Sequence, residues 1–155
     1  MTEEELFARR PLGMRMAMVV RQWRAVIDGA ITDTGLTQSS WTVLMQLHQL
    51  GDNVSVSELA EMQGIELPPL MRTLACLEEH GYLVRSVSPY DKRIRLLALT
   101  PAGKNVLATL TQLIETWQQR LTENIPADRL AAFNDTLNQL ACNLRSFREQ
   151  DNKTE

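Results

Sequence analysis

Apolar side chains recur at steps of three and four along residues 9 to 31, at Met16, Val19, Val20, Trp23, Val26, Ile27 and Ile31. That period predicts an amphipathic helix. Gly35 interrupts it. Thr37 then stands where a helix cap belongs, and Trp41, Leu44, Met45 and Leu47 set the apolar face of a second helix ending near Gly51. In VSVSELAEMQG, Ser55 and Glu58 have the spacing of a capping box, which predicts a short helix from about Val56 to Gln63, closed by Gly64. Pro68 and Pro69 fit only a first helical turn, where no intrahelical donor is needed. Leu70, Met71, Leu74 and Leu77 carry that helix on to Gly81. Short helix, tight turn and second helix make a helix-turn-helix candidate.

The pattern then changes. Tyr82 to Val87 and Ile94 to Leu99 are strand-like, separated by the turn formers Pro89, Tyr90 and Asp91, which predicts one hairpin leaning on the preceding helices. Thr100 and Pro101 open a long helix through Val106, Leu110, Leu113, Ile114, Trp117 and Leu121, broken at Ile125-Pro126. A last helix carries Leu130, Phe133, Leu137, Leu140, Leu144 and Phe147 and frays into QDNKTE. The expected fold is mainly α with a small β-hairpin wing. A winged helix-turn-helix module occupies residues 36–100, and residues 1–35 with 101–155 form a helical lobe. The terminal helices have broad apolar faces without a core of their own, so a two-fold homodimer is the better way to cover them.

Charge sharpens this picture. The formal net charge is -3, yet Arg72 to Lys104 holds six basic and three acidic residues, a local +3 on a body of -6. Screening acts over about 10 Å, so a basic lobe can attract phosphate while the acidic body stays beyond reach. No apolar run approaches the roughly 20 residues that cross a bilayer. The acidic start MTEEELFARRPLG does not read as a signal peptide. Cys76 and Cys142 are too few for a disulfide framework and suit no metal site, so a reducing, cytoplasmic setting is expected, without metal or cofactor and with both thiols inert. Enzyme signatures such as G-x-S-x-G, a phosphate-binding glycine loop or H-E-x-x-H are missing, and His48 and His80 have no ligand-like companions.

Residues 55–107, from SVSELAEMQGIELPPLMRTLACLEEHGYLVRS to VSPYDKRIRLLALTPAGKNVL, resemble the MarR-type winged-helix transcription regulators. The matching pieces are the Leu-Ala pair, Arg-Thr-Leu, Leu-Glu, His-Gly-Tyr-Leu-Val-Arg, the Asp-x-Arg of the wing and Leu-Thr-x-x-Gly. VVRQWRAVID and LTQSSWTVLMQLHQL are similar, more narrowly, to the SlyA branch. The resemblance implies a homodimer that binds double-stranded DNA at pseudo-palindromic operators, as repressor or activator. It also implies, for many members, release by small aromatic carboxylates bound near the junction of the dimer lobe and the winged module.

In that arrangement the second helix of the motif lies in the major groove, with Leu67, Pro68, Pro69, Arg72 and Thr73 nearest the bases. Only Arg72 and Thr73 hydrogen-bond well; relatives place Gln or Ser near this helix start. Fewer base contacts and more reading of DNA shape, in A·T-rich operators, are expected. Arg93 is the choice for the minor-groove tip, with Lys92 and Arg95 on phosphates and Arg85 beside them on the wing. Asp91 adds repulsion, so its expected role is to fix the turn through amides or a guanidinium. The competing reading is a charged edge that blocks strand pairing. Ser39 and Ser40 are candidates for a phosphate or for ordinary capping. Arg21, Trp23, Arg24, Trp41 and Met45 are candidates for an aromatic carboxylate pocket or for plain core. A helical dimer adaptor that binds no DNA is the alternative function.

Overall fold

The computed structural model describes residues 1–153, so the last two residues of the expected fraying tail lie outside it. Its elements are α1 (Glu3–Ala8), α2 (Leu12–Ala30), a 3-10 turn (Thr32–Thr34), α3 (Gln38–Leu50), β1 (Val54–Ser55), α4 (Val56–Gln63), α5 (Leu67–Glu79), β2 (Leu83–Val87), β3 (Arg95–Leu99), α6 (Pro101–Leu121) and α7 (Ala127–Asp151). The fold is a mostly helical winged helix with a three-stranded antiparallel sheet in the order β1-β3-β2. Among the described residues, no helix is long and apolar enough to cross a membrane.

Local chemistry places most boundaries. Ser55 accepts from the Glu58 amide at 3.1 Å while the Glu58 carboxylate accepts from the Ser55 amide at 2.8 Å, a complete capping box at the start of α4. Gly64, at φ 61°, ends that helix in the left-handed region, and Gly81, at φ 75°, follows α5. The helix expected over residues 9 to 31 forms as α2, Leu12–Ala30, and a further short helix, α1, precedes it. Thr2 and Glu5 form a capping box that starts α1, and Pro11 separates it from α2 because its ring cannot continue a helix.

The expected hairpin is also more than a hairpin. Val54 and Ser55 pair with Leu97 and Leu96, adding a third strand. Two residues carry no readable period, so this strand exists only through its partner. β2 and β3 pair in register from Leu83↔Leu99 to Val87↔Arg95.

The chain divides into two compact units, Met1–Glu115 and the segment from Thr116 on. The first holds the core, with Leu44, Leu59, Leu70, Leu74, Leu77, Leu97 and Leu110 fully buried. On α3 the buried positions are Ser40, Val43, Leu44 and Leu47, whereas Trp41 and Met45 are half-buried. Trp41 donates its ring N–H to Thr111 Oγ1 at 3.2 Å, fastening α3 to α6. Of the expected face on α2, Ile27 is buried, while Met16, Val19, Val20 and Val26 stay exposed. In the second unit α7 buries none of its side chains, and Phe133, Leu137, Leu144 and Phe147 face solvent.

Candidate nucleic-acid interface

α5 shows one face to the core and one to solvent. Leu70, Leu74 and Leu77 are buried, which leaves Leu67, Pro68, Pro69, Met71 and Arg72 exposed and Thr73 half-buried. Pro68 and Pro69 supply no amide hydrogen, and the cap residue Glu66 makes no side-chain bond to the helix start. The first turn is therefore poor in donors. Thr73 already donates its hydroxyl to the Pro69 carbonyl at 3.3 Å. Arg72 is the one cation on these first two turns.

The wing tip is closed by a set of short bonds. Buried Ser88 donates its amide to the Ile94 carbonyl at 3.0 Å, and Ile94 donates to the Asp91 carbonyl at 3.0 Å. Asp91 accepts from the Arg93 amide at 3.0 Å, from its Nε at 3.2 Å and from its Nη2 at 3.0 Å. Both partners considered for this carboxylate, turn amide and guanidinium, thus come from one residue. The arrangement aims Arg93 outward with its side chain 90% exposed. Arg95 Nη1 donates to the Lys92 carbonyl at 2.8 Å, closing the other side of the turn.

The Arg93 side chain, followed by its amide, holds the Asp91 carboxyl below the ordinary carboxylate range and holds the guanidinium protonated more firmly. A lowered carboxylate pKa means that the contribution to wing order is present above the unfolded value. It is lost as pH falls through the lowered folded value. In an NMR titration of side-chain carboxyl carbons, Asp91 should titrate below the ordinary carboxylate range, and Arg93→Ala should move it back toward that range. An unshifted midpoint in the unchanged protein would show that the pair does not persist in solution.

The remaining candidates separate. Arg85 is paired with Glu78 of α5, which ties the sheet to the helix. Sequence spacing could not reveal that pair, since residues seven apart fall on different elements. Ser40 is buried, its amide donating to Thr37 Oγ1 at 3.3 Å and its hydroxyl 3.3 Å from the same oxygen, so it serves the cap of α3. Ser39 is half-buried and borders a cavity of about 370 Å³ together with Arg24, Thr42, Gln46, Pro69 and Thr73. Met45 borders another cavity of about 290 Å³, with His48, Lys104 and Leu107. Arg21 is exposed and Trp23 half-buried. The proposed pocket residues Arg24 and Met45 thus border different cavities.

Residues 36–94 match the model of the MarR family. The chain is similar to a mutant of MarR from E. coli complexed with operator DNA, at 27% identity and a TM-score of 0.76, covering 84% of this chain and 93% of that one. It is also similar to the transcriptional repressor CouR bound to a 23-mer DNA duplex, at 28% identity and a TM-score of 0.79, covering 91% and 98%. A crystal structure of MarR at 23% identity has a TM-score of 0.84 over 92% and 96% of the two chains, a likeness of fold.

Proposed function

We propose that this chain is a MarR-family transcription regulator that binds double-stranded DNA as a homodimer and catalyses no reaction. One observation carries the reading. A buried leucine stripe fixes α5 with its start exposed, and the next element is a wing whose tip presents Lys92 and Arg93 on an ordered turn. In this reading α5 enters the major groove, with Arg72 on a guanine edge and Leu67 and Pro69 against apolar base edges. The wing enters the adjacent minor groove, where Arg93 meets the negative potential of narrow A·T-rich DNA. Lys92 and Arg95 serve phosphates, and Ser39 is the remaining phosphate candidate on α3.

The dimer is supported by the apolar side chains that a single chain leaves exposed on α2 and on α7. Two winged modules on a two-fold axis would read a pseudo-palindrome. The SlyA-like branch, a cytoplasmic location and release by an aromatic carboxylate belong to the same proposal. For the carboxylate, the cavity bordered by Arg24 offers the guanidinium that such a ligand needs.

Titration onto mixed-sequence duplex DNA at several salt concentrations tests the reading. The logarithm of the affinity should fall with the logarithm of salt, with a slope of about -0.9 for each phosphate neutralised. The apolar start of α5 favours the alternative of a dimer that docks a protein. No binding to DNA at low salt would decide for it.

A further inference from the structure

Tyr90 is the most exposed of the large apolar side chains, at 97%. A ring left in water contributes almost nothing to folding. Yet the turn beneath it is ordered. The Tyr90 amide donates to Ser88 Oγ at 3.2 Å, and Ser88 is itself buried and bonded across the turn to Ile94. The ring therefore projects from a fixed backbone. Lys92 and Arg93 stand two and three residues away, and Val87 and Ile94 on either side of the turn are also exposed. The tip combines apolar surface, a phenolic hydroxyl and two cations on one short loop.

We infer that Tyr90 is a contact residue for the sugar wall of the DNA minor groove, with its ring against deoxyribose and its hydroxyl toward a flanking phosphate. This rests on the reading that the wing enters that groove. Duplex bases stay stacked, so a ring at the groove edge meets the C–H faces of sugars rather than base faces. Those faces are apolar and bordered by phosphate, which suits an amphipathic ring beside cations. Tyrosine brings this area with only two side-chain torsions to immobilise. Its contribution releases no counterion, so it is independent of salt, unlike that of Arg93.

The experiment compares the full-length protein with Tyr90→Ala, Tyr90→Phe and Arg93→Ala on an A·T-rich duplex across a salt series. Tyr90→Ala should bind about tenfold more weakly at every salt concentration with an unchanged slope, whereas Arg93→Ala, which removes a cation from the groove, should make the slope shallower. Tyr90→Phe should keep most of the affinity. The thermal midpoint of Tyr90→Ala should equal that of the unchanged protein. Unchanged affinity in Tyr90→Ala would overturn the inference alone, as would a slope lost to the same extent as in Arg93→Ala or a lowered midpoint. Failure of the unchanged protein to bind DNA would overturn this inference and the proposed function together.

Discussion

Gly103→Ala is expected to destabilise the protein by about 3 kcal/mol, at the upper end of what overpacking a core costs. A methyl group at Gly103 would overlap the Tyr82 carbonyl oxygen, which is backbone and cannot swing aside. The close approach has a cause. Thr100 donates its amide to the Tyr82 carbonyl at 3.1 Å and its hydroxyl to the Gly81 carbonyl at 2.6 Å. The same hydroxyl accepts from the Gly103 amide at 3.0 Å. One threonine thus caps α6 and staples its first turn to the start of β2, so the third helical residue must be without a side chain. Gly29→Ala is the internal control. It lies in α2 with nothing within 4 Å of an added methyl, so alanine should stabilise by about 0.5–1 kcal/mol through helix propensity. Urea unfolding of both variants checks the opposite signs. A Gly103→Ala midpoint equal to that of the unchanged protein would mean that the staple yields.

Arg93→Ala should weaken duplex binding by roughly ten- to hundredfold, the range for losing a charge-assisted contact of about 1.5–3 kcal/mol. The loss should be greater on A·T-rich than on G·C-rich duplexes, because the narrow groove concentrates negative potential. Part of the loss is indirect. With the guanidinium gone, the Asp91 carboxylate loses its ion-pair partner at the tip, and in the proposed complex it would face phosphate. The Asp91→Ala/Arg93→Ala double variant should therefore bind better than Arg93→Ala alone, a coupling that a double-mutant cycle reads directly. A double variant weaker than the single would assign Asp91 to holding the turn by its amide bond rather than to repulsion. Equal losses on both duplexes would make Arg93 a plain phosphate contact.

The helix-turn-helix was readable because its punctuation is local. Ser55 and Glu58 cap α4, Gly64 ends it, and Pro68 and Pro69 confine α5 to starting there. The wing was readable for a similar reason, since Asp91 and Arg93 are near enough in sequence for their pairing to follow from the turn itself. Terminal helices gave a period without a destination. Val19, Val20, Phe133 and Leu137 are apolar at helical spacing yet exposed in the single chain. Their period reports an apolar face without naming a partner for it.

Sequence alone determined the order of the helices from α2 on, the caps of α3, α4 and α6, the hairpin and the charged turn, because each depends on chemistry within a few residues. Tertiary structure alone decided the rest. It added β1 as a third strand, turned Ser40 inward while leaving Ser39 on a cavity, and drew Arg85 to Glu78. It also pressed Gly103 against Tyr82. Each of these is a meeting of residues on different elements. Such meetings are set by how the buried leucines of α3, α4 and α5 pack around the sheet, and no local period encodes that geometry.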